Sequence, residues 1–169
     1  MTQEEFISIL DRKKYSYEIE GDKLVVTHEG GVDLESLTSL PPGVVFRNEG
    51  FVDLNALTSL PPGVVFENRR GVYLRALTSI PPGVEFKNGV DVDLRSLTSL
   101  PPGVEFRNGG YVDLRSLTSI SPGVEFNNRG VVGLKSLIGG WFSDWRDNIE
   151  GIDSKRLLNL MISKGLFER

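Results

Sequence analysis

The side chains able to do acid–base chemistry in this chain come in columns rather than as isolated pairs. Asp33, Asp53, Asp93 and Asp113 recur at multiples of 20 residues, and so do Glu85, Glu105 and Glu125. Two carboxylates such as Asp93 and Glu105, set either side of a scissile bond, are the groups general acid–base catalysis requires. Their repetition argues for a charge lattice instead, because no position is singled out as a reacting group must be. His28 is the only histidine, and it stands where every later copy has asparagine. Cysteine is absent, which removes thiol catalysis, cysteine-based zinc and disulfides. Neither G-x-S-x-G, G-x-x-x-x-G-K nor H-E-x-x-H occurs. The expectation is a protein that is not an enzyme, with no cofactor and no metal.

What remains is binding chemistry. Arg75, Arg95, Arg115 and Lys135 form a basic stripe suited to an acidic partner, with Arg69, Arg70 and Arg129 nearby. Tyr73 replaces aspartate in its column, and with Tyr111 offers aromatic anchors of the kind found at binding hot spots. Glu85, Glu105 and Glu125, with the aspartates, support a second reading: a small inhibitor or decoy blocking a nucleic-acid-handling host protein. Acidic and basic columns two residues apart also suit a solvated lattice that keeps the surface soluble. Val45 and Val65 are expected to add exposed apolar surface. The formal net charge of −4 argues against direct nucleic-acid binding.

These residues are positioned by one phrase that recurs every 20 residues and occurs five times, plainest from Val92 to Gly110. Val44 to Val124, Phe46 to Phe126, Val32 to Val132, Leu34 to Leu134, Leu37 to Leu137 and Leu40 to Ile120 are its apolar columns. A fixed period of this size marks a solenoid whose units bury apolar faces only against neighbours. Val104 and Phe106, like Val112 and Leu114, have strand spacing. Leu114, Leu117 and Ile120 are three apart, as in a tight turn. Pro101-Pro102-Gly103 bends the chain and Asn108-Gly109-Gly110 makes the other corner. The predicted coil is flattened, right-handed and built on two short parallel strands, with five to six coils stacked about 4.8 Å apart. The asparagines at 48 to 128 should bond turn backbone and one another as a ladder, with His28 in the first slot. Thr38 to Thr118 should satisfy turn backbone through their hydroxyls.

The stretch Leu57-Thr58-Ser59-Leu60-Pro61-Pro62-Gly63-Val64-Val65-Phe66-Glu67-Asn68 resembles the short, proline-bearing leucine-rich repeats of bacterial effector proteins. The resemblance covers roughly residues 24 to 138, and departs from the family where V-x-F-x-N replaces L-x-L-x-x-N. It implies protein recognition through an exposed strand face, without catalysis, in a bacterial or phage setting. A structural module that stacks through its ends is a third reading.

Thr2 and Glu5 make a capping-box pattern before Phe6, Ile9 and Leu10, predicting a helix to about Lys13. A hairpin follows, turning at Gly21-Asp22. The domain reading is thus an N-terminal cap at 1–23, a solenoid at 24–138 and a C-terminal cap at 139–169. The last carries Trp141, Phe142 and Trp145 over the final coil and a helix at about 154–164; Trp141, Trp145 and Phe167 could alternatively dock a partner or dimerise. No apolar run approaches a membrane span, and the acidic start is unlike a secretory signal. A monomer with a protein partner is expected, cytoplasmic or delivered into a host cell.

Overall fold

The computed structural model describes residues 1–138, so the expectations for 139–169 lie outside the described residues. Helix α1 spans Gln3–Lys13. Glu5 N–H donates to the Thr2 hydroxyl at 3.2 Å, and Thr2 N–H donates to the Glu5 carboxylate at 2.8 Å, closing the capping box. The helix ends at Lys14 in the left-handed region, φ 60°. Phe6 and Leu10 are buried, with Ile7 and Ile9 packed beside them over the first coil.

Strands β1 (Tyr17–Glu20) and β2 (Lys23–Val26) form the expected antiparallel hairpin. β2 also opens the solenoid, pairing in parallel with β4 (Val45–Phe46). The first sheet continues through β6 (Val65–Phe66), β8 (Glu85–Phe86), β11 (Glu105–Phe106) and β14 (Glu125–Phe126). The second sheet stacks β3 (Val32–Asp33), β5 (Val52–Asp53), β7 (Val72–Tyr73), β9 (Val92–Asp93), β12 (Val112–Asp113) and β15 (Val132–Gly133). Every solenoid step is 20 residues in register, as Val72↔Val92 and Phe86↔Phe106 illustrate. The chain is a parallel β-solenoid of about five turns.

A third, partial side was not expected. β10 (Ser99–Leu100) pairs in parallel with β13 (Ser119–Ile120), and Ser59 bridges Ser79. Leu100 precedes Pro101, and a residue before proline is driven toward extended backbone. Where Ser121 replaces that proline, its restored N–H donates to the Leu100 carbonyl at 2.9 Å. The last coil also differs: residues Lys135–Ile138 form a helical turn, α2.

Between the strands, the N–H of Leu37, Leu57, Leu77, Leu97 and Leu117 each donates to the carbonyl three residues earlier. The bend is made by Gly43, Gly63, Gly83, Gly103 and Gly123, all with φ between 74° and 82°, where other residues are strained. The apolar columns fill the interior, and Phe46, Phe66, Phe86, Phe106 and Phe126 stack at 5.1–5.4 Å between centroids, within 6° of parallel.

The buried asparagines do not bond one another. Asn68 Nδ2 donates to Arg70 and Gly71 carbonyls in its own corner, and to the Gly50 carbonyl one coil back. Asn88 and Asn108 repeat this, reaching Arg70 and Val90 one coil back at 3.1 and 2.9 Å. An asparagine–asparagine ladder is displaced because the corner turns several carbonyls toward each amide. Flipping the amide would set oxygen against oxygen. His28, in the first slot, packs on the Tyr15 ring at 4.9 Å. Thr78 and Thr118 hydroxyls donate to the Thr58 and Thr98 carbonyls, tying coil to coil.

Candidate binding faces

The outward side chains of each strand pair sort onto two separate sheets, and so do the candidate residues. Glu85, Glu105 and Glu125 lie on the first sheet, in β8, β11 and β14. Tyr73, Arg75, Arg95, Tyr111, Arg115 and Lys135 lie in or beside strands of the second, Lys135 opening α2. One surface does not unite them.

On the first sheet the glutamates stack in register. Each unit of repulsion has a local answer. Lys87 pairs with Glu85 and Arg107 with Glu105, two residues along the same strand. Asn127 Nδ2 donates to Glu105 and Glu125, both at 3.1 Å. The Arg107 guanidinium, aided by Asn127, holds the Glu105 carboxyl below its ordinary value. Arg47 bridges Glu20 at 2.7 Å and Glu67 at 3.4 Å. Val45, read as exposed apolar surface, is buried, between Val25 and Val65 in register. Neighbouring β-branched side chains at strand spacing cover one another.

The aspartate column of the second sheet is also not what its charge suggests. Asp33, Asp53, Asp93 and Asp113 each accept, through Oδ1, the N–H two residues on, at 3.1–3.4 Å. This is an Asx turn, which leads each strand into the tight turn after it. Tyr73 lacks that acceptor, and Asn55 of the previous coil supplies it, taking the Arg75 N–H on Oδ1 at 3.1 Å. The substitution of tyrosine for aspartate therefore comes with its compensation one coil away.

Asp93 and Asp113 are buried, contrary to the outward, solvated reading. Arginine is the cause. The Arg95 guanidinium grips Asp93 in a fork, Nε to Oδ1 at 2.8 Å and Nη2 to Oδ2 at 2.5 Å, and Arg75 Nε adds a contact at 3.1 Å. Arg115 grips Asp113 similarly, with Nε at 2.9 Å from Oδ1. Burial alone would raise the Asp93 pKa, but hydrogen bonds from Arg95 and Arg75 outweigh it and hold the carboxyl below its ordinary value. Asp33 and Asp53, followed by Glu35 and Asn55, have no such cover and stay more open.

Arg75, Arg95 and Arg115 are therefore paired with aspartates, while the Arg75 and Arg115 side chains stay 50% and 51% exposed and share this face with two exposed aromatic rings. Phe51 and Tyr111 keep 39% and 38% of their surface exposed, and Val131 lies one coil beyond Tyr111. The Phe51 ring occupies the space that a side chain at Gly31 would need, and the Tyr111 ring lies where one at Gly133 would be. The Phe51 and Tyr73 rings are 6.2 Å apart and tilted, and the Arg75 guanidinium sits 5.7 Å from the Tyr73 centroid. Phe51 and Asn55 are residues that sequence reasoning missed. The signal was there: in the column Gly31, Phe51, Gly71, Asp91, Tyr111 and Val131, a glycine stands on either side of Phe51.

Among the described residues no three His, Cys, Asp or Glu side chains are placed to hold a metal ion, and no helix is long and apolar enough to cross a membrane. No protein-family model matches the chain, and no curated protein or solved structure matches it.

Proposed function

We propose that the chain is a non-catalytic protein-binding solenoid whose partner docks on the outer face of the second sheet, around Phe51, Tyr73, Arg75 and Tyr111. The observation that carries this reading is the pair of half-exposed rings seated over Gly31 and Gly133. Rings locked in place lose little entropy on docking, and exposed aromatics beside arginine are the usual composition of a hot spot. Arg95 and Arg115 act mainly by holding Asp93 and Asp113, and so keep the face rigid and close to neutral. The resemblance to effector repeats suggests the bacterial or phage setting. The decoy reading through Glu85, Glu105 and Glu125 is less favoured, because Lys87 and Arg107 interrupt the acidic column that would imitate phosphates.

Affinity capture from the native host tests the proposal. Phe51→Ser with Tyr111→Ser should abolish capture of the partner while the solenoid stays folded at a lowered melting temperature, since each residue is more covered than exposed, and circular dichroism at the capture temperature checks the fold. Reversing Glu85, Glu105 and Glu125 to lysine should leave capture intact. Capture that survives loss of both rings but collapses with added salt would support the decoy instead.

A further inference from the structure

The two sheets end differently on their amino-terminal side. The second ends on β3, and its edge is closed: the Tyr15 hydroxyl accepts Asp33 N–H at 3.0 Å and donates to the Asp33 carbonyl at 3.3 Å. The first ends on β1, paired with β2 in the register Glu18↔Val25 and Glu20↔Lys23. Thr27 N–H donates to the Ser16 carbonyl at 2.9 Å, so the even-numbered residues of β1 turn their main-chain groups toward β2. Those of Tyr17 and Ile19 face outward, and none has a partner among the described residues. Ile19 is also 51% exposed, the most open apolar side chain of the hairpin.

An open edge adds strands, and side-chain alternation selects which ones. Glu18 and Glu20 share a face with Val25 and Lys23, and Tyr17 and Ile19 share the face of Val26 and Leu24; of these four β2 residues only Lys23 is exposed. A second copy of β1 pairing antiparallel would set glutamate against glutamate, which is destabilising. A strand carrying cations on the Glu18 side and apolar residues on the Ile19 side meets complementary chemistry on both. Glu20 is partly satisfied by Arg47, so Glu18 is the more available anion. We propose that β1 is a docking edge: an extended partner segment alternating Lys or Arg with apolar residues adds to it as a further strand of the first sheet. This surface is separate from the aromatic face and does not rest on it.

The test uses the full chain and two capped hexapeptides, one alternating lysine and valine, the other glutamate and valine. Amide NMR should show saturable shifts confined to residues 16–20 with the lysine peptide, and exchange at the Tyr17 and Ile19 amides slowed about tenfold or more. Glu18→Lys should weaken that binding about tenfold at low salt. Ile19→Pro removes an outward N–H that the hairpin ladder does not use, so the fold should hold while binding is lost. If circular dichroism shows Ile19→Pro unfolded, Glu18→Lys decides alone. Equal binding of the two peptides, shifts centred on the aromatic face, indifference to Glu18→Lys, no saturable binding, or self-association of the chain through β1 would each overturn the proposal.

Discussion

Asn108 and Asp93 are both buried and polar, yet they answer to different physics, and each can be tested by itself. Asn108 is neutral and holds the Val90 and Gly110 carbonyls with one amide nitrogen. Asn108→Ala leaves both carbonyls without that donor in a corner with little water, and should cost about 1–3 kcal/mol. Urea denaturation at neutral pH measures it. Asp93 is ionic, and its carboxyl is held below the ordinary value despite burial. Its stabilisation is therefore complete above the unfolded-state pKa of about 3.9, and is lost as pH falls through the lower folded value. The urea midpoint of the wild type should drop between pH 5 and pH 2.5, and Asp93→Asn should show a smaller drop over that interval. An identical pH profile in the variant would remove Asp93 from the account. At this scale the sequence was a poor guide to exposure. Period-two alternation puts Asp93 outward, which is correct, but whether an outward aspartate is wet depends on Arg95 and on Arg75 of the coil before. The same holds for Asn55 and Tyr73, where a lost acceptor and its replacement lie one coil apart.

The elements were far more legible, because their signals are local and said repeatedly. The capping box at Thr2 and Glu5, the turn at Gly21 and the strand spacing of Val and Phe all act within a few residues. β10 and β13 were missed because their pairing is a backbone effect, invisible to hydrophobic spacing: Leu100 is biased to extended backbone by Pro101, and β13 is tied on by the Ser121 N–H, which donates to the Leu100 carbonyl. The phenylalanine stack ties coil to coil, since each inner ring has a neighbour on both faces. Phe86 is fully buried between Phe66 and Phe106, at 5.3 and 5.1 Å. Phe86→Ala should cost about 3–5 kcal/mol, from lost transfer energy and the cavity left between two rings. Chemical denaturation checks it. A loss under about 1 kcal/mol would mean that the neighbouring coils close the gap, which the in-register pairing on both sides resists.

A molecule made of identical steps has a property no compact domain shares: whole units can be removed without rewiring the rest. Each coil contacts only its neighbours, so stability is a sum of coil and interface terms. Removing residues 92–111 joins Asp91 to Val112, deleting one step of 20 and preserving the phase of every column. Phe86 then stacks on Phe126, Val72 pairs with Val112, and the corner asparagine at 88 stays in line with Asn128. This variant should fold to a shorter solenoid with an unchanged spectrum and a single melting transition, lower by roughly one interface's worth of free energy. Removing only residues 92–101 joins Asp91 to Pro102, and places a first-sheet strand where a second-sheet strand is due. Every later coil would then face the wrong side, with charged columns turned against apolar ones, so this half-step deletion should fail to fold despite removing fewer residues. Circular dichroism and size-exclusion chromatography distinguish the two outcomes. If the ten-residue deletion folds as well as the 20-residue one, register is not what specifies the stack, and the coils are held by composition alone.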